Sequence, residues 1–174
     1  MGDHEHADSL IDRIVQREGG FVNNPSDKGG ATKYGITQGT LSAWRGVPVS
    51  VSDVERLTVP EASAIYLKRY ITDPGLDCIT DPELRELIVD FGVLSGPKRA
   101  IIGLQTALGI TADGSFGPAS RAALAAHKNP EALYYKVKCE RLEQFIRILA
   151  NPSQAVFATG WANRLDEFLR TSKT

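Results

Sequence analysis

Apolar and polar positions alternate with helical spacing along almost the whole chain. Leu10, Ile11, Ile14 and Val15 form one stripe, the i, i+1, i+4, i+5 pattern of a helix with one buried face. Asp8 or Ser9 is placed to cap that helix at Leu10. "TQGTLSAWRG" predicts a short helix, opened by Thr37 or Thr40 and closed by Gly46. In "VSVSDVERLTVPEASAIYLKRYI" a helix starts at Thr58, with Pro60 in its first turn and Glu61 complementing the dipole. "TDPELRELIVDFGVLSG" is a further helix, capped by Thr80 or Asp81 ahead of Pro82. "GPKRAIIGLQTALG" follows and closes at Gly109. After the turn "TADGSFGP" come "ASRAALAAH", "NPEALYYKVKCERLEQFIRIL" and "QAVFATGWANRLDEFLRT", all helical in period. Trp44, Trp161, Tyr134, Tyr135 and Phe145 read as core anchors. The expectation is a mainly α protein with one small hairpin near residues 20–37.

The break in this pattern lies at "REGGFVNNPSDKGGATKYGIT", Arg17 to Thr37. Glu18 follows Ile14 by four residues and Ile11 by seven, so it points with the apolar stripe. It also sits at the helix C-terminus. Desolvation and the helix dipole both disfavour a charged carboxylate there. A carboxyl group that keeps its proton is what a general acid needs to protonate a glycosidic oxygen. The plainer alternative is a glutamate paired with Arg13 or Arg17. Nine residues after Glu18 comes Asp27, and fourteen after comes Thr32. A Gly-rich loop can fold either back toward Glu18, supplying the second group that glycosidases use as nucleophile or to hold a water.

Glu, eight residues, Asp, a short gap, Thr and "YGIT" resembles the active-site segment of the phage-type lysozymes. The gap holds four residues here, Lys28 to Ala31, one fewer than in those enzymes. The fuller string "EGGFVNNPSDKGGATKYGIT" is more similar to glycoside hydrolase family 108. That family comprises N-acetylmuramidases found as phage endolysins and as bacterial secretion-linked wall enzymes. "LQTALG", "DGSFG" and "GWANRLDEF" resemble the family's second half, a predicted peptidoglycan-binding region, so the likeness runs over about residues 8–170. The resemblance implies a lysozyme-like arrangement, with the hairpin or loop near residues 20–37 as one wall of the cleft. It implies a catalytic region over 8–95 and a helical peptidoglycan-binding region over 96–174, with the two sharing one core as an alternative. It implies cleavage of the β-1,4 bond between N-acetylmuramic acid and N-acetylglucosamine. Glu18 would be the general acid, Asp27 or Thr32 would position water or steady the transition state, and Tyr34 would touch the sugar. Rival readings are a lytic transglycosylase and a non-catalytic peptidoglycan-binding module.

Composition and charge narrow the alternatives. Hydrophobic residues make up 42% and charged ones 24% of the 174, an ordinary globular balance. No apolar run reaches the roughly 20 residues of a membrane span, so no stable membrane insertion is expected. The polar, acidic N-terminus "MGDHEHADSL" does not read as a signal peptide. A product made in the cytoplasm would therefore reach the periplasmic wall after release or by dedicated export. Residues 1–95 carry 9 Lys and Arg against 15 Asp and Glu, and residues 96–174 carry 11 against 6. That contrast suggests either an anionic partner for the back half or attraction between the halves.

Cys78 and Cys139 form no disulfide framework, and His4, His6 and His127 do not cluster. No metal or cofactor is expected. "DFG" at Asp90 stands without the other kinase motifs, so Asp90 reads as a group that caps or pairs inside a buried helix junction. "DKGGAT" lacks the phosphate-loop order, and Asn23, Asn24 and Asp27 lack the calcium-loop pattern. The partner expected is the peptidoglycan glycan strand, with no nucleic acid, and the protein is expected to act as a monomer.

Overall fold

The computed structural model describes residues 2–23 and 30–150, with side chains from Leu10 onward. The fold is mainly helical with one small antiparallel hairpin, as expected. It divides into two compact units, Met1–Asp73 and Pro74–Thr174.

In the first unit, α1 spans Gly2–Arg17. It begins well before the cap expected at Asp8 or Ser9, because a polar helical turn carries no apolar period to betray it. Leu10, Ile11, Ile14 and Val15 are buried as the stripe requires. Burying a side chain of this size is worth about 1.5–3 kcal/mol. α1 packs on α4 (Val59–Leu67), whose buried residues are Ala62, Ile65 and Tyr66. Thr58 caps α4 through Glu61 N–H, with Pro60 in the first turn. Strands β1 (Thr32–Lys33) and β2 (Ile36–Thr37) pair antiparallel, Thr32 opposite Thr37 and Lys33 opposite Ile36. α2 (Gln38–Arg45) follows, capped by Thr37 and closed by left-handed Gly46. Trp44 on α2 is 39% exposed, so it is not the core anchor its type suggested.

The short helix α3 (Val51–Glu55) was not foreseen. A full capping box makes it: Ser50 Oγ accepts from Asp53 N–H at 3.2 Å, and Asp53 Oδ2 accepts from Ser50 N–H at 2.8 Å. The Ser50 hydroxyl first, then the Ser50 N–H, then Arg56 pull the Asp53 carboxyl from its ordinary 3.8 to about 2. Folded Asp53 thus binds fewer protons than unfolded Asp53 across that window. Its contribution to stability is fully present above about pH 4 and is lost as the pH falls toward about 2. Chemical denaturation of Asp53→Asn beside wild type should show a stability gap at about pH 6 that closes by about pH 2. A gap that stays constant over that range would contradict the assignment.

In the second unit a 3₁₀ turn, Leu76–Cys78, leads to α5 (Pro82–Ser95), α6 (Pro97–Leu108), α7 (Pro118–Ala126) and α8 (Pro130–Leu149). Asp81 caps α5 by accepting from Glu83 and Leu84 N–H. α5 buries Leu84, Leu87, Ile88, Val89 and Phe91, more than one face can supply, and it packs on both α6 and α8. Gly103 of α6 makes room for this, since a Cβ there would stand 2.8 Å from Phe91 Cε1. Asp90 is buried in an ion pair with Arg141 of α8, the role read for it from the sequence.

The "DGSFG" turn closes on buried Gln105. Its Nε2 donates to Asp113 Oδ1 at 2.7 Å, Ser115 O at 3.0 Å and Ser120 Oγ at 3.0 Å. The Gln105 bond is the main cause that lowers the Asp113 carboxyl below its ordinary value. On α8, Tyr134 is buried but Tyr135 is 39% exposed, contrary to the core role expected of both. The helix expected at "QAVFATGWANRLDEFLRT", with Trp161, lies outside the described residues.

Among the described residues no helix is long and apolar enough to cross a membrane. Cut at the unit boundary, residues 1–73 carry 8 Lys and Arg against 10 Asp and Glu, and residues 74–174 carry 12 against 11. The contrast seen across residue 95 is therefore not a contrast between the two compact units.

Candidate active site

Glu18 sits one residue beyond the last residue of α1. Its N–H donates to Ile14 O at 3.2 Å, continuing the helical ladder, and Gly19 at φ +85° ends it. The side chain is half-buried rather than sunk in the core. Gly19 O then accepts from Tyr34 N–H at 3.0 Å. Val22 and Thr32 exchange both backbone hydrogen bonds at 2.8 Å. The chain leaving Glu18 thus lies against β1, and the hairpin tip comes back to the carboxyl group.

That tip is Tyr34-Gly35, with φ +51° and +71°. Two successive positive φ values are what a type I′ hairpin turn requires. Glycine meets the requirement freely and tyrosine does not, so Tyr34 is held by its surroundings. Its N–H is taken by Gly19, and its carbonyl accepts from Tyr66 Oη at 3.1 Å. Tyr66 is buried on α4 and its ring stacks on Tyr70, with centroids 5.3 Å apart and planes at 26°. Tyr70 rides on a π-helical turn, Lys68–Thr72, that continues α4, a feature common at functional sites. Burial first, and then the charge of Glu18, raise the Tyr70 phenol above its ordinary value, with Arg69 opposing. Tyr70 therefore keeps its proton at neutral pH and can donate.

Glu18, Tyr66 and the turn converge on Gly35. A Cβ on Gly35 would stand 3.1 Å from Glu18 Oε2 and 3.3 Å from Glu18 Cβ, and it would overlap Tyr66 Oη. Gly35 itself is exposed. The missing side chain leaves the carboxyl group open to a ligand approaching over the turn. Gly35→Ala should therefore lose about 1–3 kcal/mol through overpacking and a left-handed alanine. Activity should fall at temperatures where the variant remains folded. A thermal melt and a wall-clearing rate on the same sample check this; wild-type values for both would refute it.

The expected site residues divide three ways. Glu18 and Tyr34 come together through the turn. Thr32 stands on β1, half-buried, and its hydroxyl donates to Gly30 O at 3.4 Å. That weak bond leaves oxygen lone pairs for a water. Asp27 lies outside the described residues. Sequence reasoning missed Tyr66 and Tyr70. Their i, i+4 spacing in "YLKRY" was visible, but the bond from Tyr66 to a carbonyl 32 residues away was not. Among the described residues no three His, Cys, Asp or Glu side chains converge as a metal site.

Comparison with known proteins covers both units. Residues 11–96 match the family model of glycosyl hydrolase 108, a span that contains Glu18, Thr32, Tyr34, Tyr66 and Tyr70. Residues 99–166 match the model of a predicted peptidoglycan domain. Among solved structures the chain is similar to Brucella abortus SagA, at 30% identity and a TM-score of 0.78 over 95% of this chain and 92% of that one. No curated protein matches.

Proposed function

The chain belongs to the glycosyl hydrolase 108 family and is a peptidoglycan hydrolase, and from that premise we propose that it is an N-acetylmuramidase of the lysozyme type. The bond cleaved is the β-1,4 link from N-acetylmuramic acid to N-acetylglucosamine. The observation that carries this reading is a half-buried carboxyl group, Glu18, set against Gly35, which adds no side chain over it, in a turn that Tyr66 holds in place. Glu18 gives its proton to the glycosidic oxygen as the C1–O bond breaks. Water adds to C1 of the muramic acid, and its surplus proton returns to the site. Asp27 or Thr32 positions or activates that water, and Tyr34 contacts the sugar.

Mass spectrometry of digests of purified peptidoglycan tests the bond and the chemistry together. Muropeptides with a reducing, hydrated N-acetylmuramic acid end are expected. Reducing-end N-acetylglucosamine would identify a different glycosidic bond. Anhydro-muramic ends would identify a lytic transglycosylase, and Asp27 and Thr32 would then have no water to activate.

A further inference from the structure

The second unit contains a cavity of about 400 Å³, within the size range of small-ligand sites. Its walls are apolar, built from Ile79, Leu84, Leu124 and Leu133. Two basic side chains, Arg121 and His127, also line it, together with one acidic one, Asp81, whose carboxylate accepts the α5 cap bonds from Glu83 and Leu84 N–H. We propose that this cavity binds the peptide stems of peptidoglycan, with Arg121 taking a stem carboxylate and the apolar wall taking alanyl side chains. The proposal rests on the peptidoglycan assignment above, but not on which bond Glu18 cleaves.

Arg121 stands exposed in the lining of the cavity. Its guanidinium lies over the Phe116 ring at 5.8 Å, and Nη2 sits so close to Gly75 that a Cβ there would be 2.7 Å away. The side chain is exposed to solvent beside Phe116 and Gly75, and its planar guanidinium fork fits a carboxylate bidentately. None of the ion pairs among the described residues involves Arg121. His127 Nδ1 accepts from Asn129 N–H at 3.4 Å, which leaves the neutral ring's proton on Nε2 as a second donor.

The chemistry of the wall polymer selects the peptide over the glycan. The lactyl carboxyl of each muramic acid is tied up in an amide, so the free carboxylates belong to the stems. Sugars offer hydroxyl and acetamido groups, which do not call for a cation beside an aliphatic wall. The cavity also crosses the limit of the predicted peptidoglycan domain. Ile79 and Leu84 lie before its first matched residue, 99, so a fragment starting there would lack one wall.

The test is a titration of the full chain with the free tetrapeptide L-alanyl-γ-D-glutamyl-meso-diaminopimelyl-D-alanine, followed by amide NMR and calorimetry. Saturable binding is expected, with shifts centred on Leu124 and His127. Arg121→Gln should weaken it by about tenfold or more, the worth of one hydrogen bond to a charged group. Ala125→Phe, which fills the cavity from its rim, should abolish it. Wild-type protein that does not bind the peptide, or binds it with shifts elsewhere, overturns the proposal even if both variants fail to fold. Binding of peptide-free glycan that falls equally in Arg121→Gln also overturns it. The peptide has no glycosidic bond, so muramidase products without peptide binding would overturn this proposal alone. Peptide binding without cleavage would overturn the muramidase reading alone.

Discussion

Glu18→Gln should abolish release of muropeptides from purified peptidoglycan, with a fall in kcat of about 10²–10⁴-fold or more, while melting temperature and wall binding stay near wild type. Glutamine keeps the shape of the side chain and its place against Gly35, but it has no acidic proton to give. General acid assistance at a poor leaving group is worth about this factor. The fold should be indifferent, because Glu18 is half-buried beyond the end of α1 and the turn beside it is held by Gly19 and Tyr66. The measurement is a product time course by mass spectrometry, with a circular dichroism melt of the same preparation. Cleavage at the wild-type rate by a folded variant would remove Glu18 from the mechanism. Loss of cleavage together with loss of folding would show a structural glutamate instead.

The sequence made some of this legible and hid the rest, for reasons that can be traced to particular residues. Caps and stops work through neighbours in the chain, so Thr37, Thr58, Asp81, Gly46 and Gly109 stand where their residue types predict. The place of Glu18 just past the end of α1 was legible for the same reason, since it follows from the apolar stripe before it. The helix α3 is too short to show a period, though the Ser50–Asp53 box that builds it was there to be read. The Tyr34-Gly35 turn shows the limit more sharply. Nothing local makes a tyrosine adopt a positive φ; Tyr66, on α4 and 32 residues further along the chain, supplies the hydrogen bond that compensates. Exposure of Trp44 and Tyr135 likewise depends on where neighbouring elements end, which residue type cannot report. The charge contrast belongs to the division at residue 95 and is not a contrast between the two compact units, which meet at residue 73.

The largest effect on stability should come from the pair between Asp90 and Arg141. Their side chains are 2% and 3% exposed, and they join α5 to α8 in the interior of the second unit. Around them α5 buries Val89 and Phe91, and α8 buries Val137. Transfer of each charge from water is costly, and their mutual attraction offsets that cost only while both are present. Asp90→Ala or Arg141→Ala should therefore destabilise by about 3–5 kcal/mol, since each removes one half of a buried ion pair. Asp90→Leu combined with Arg141→Met should recover most of that loss, because packed apolar side chains need no partner. Urea denaturation of the wild type, the two single variants and the double completes the comparison. Single variants that lose under about 1 kcal/mol would mean that water reaches the pair and screens it like a surface ion pair. A double variant no better than the singles would mean that the pair also orders the helices themselves, by a geometry that hydrophobic packing does not restore.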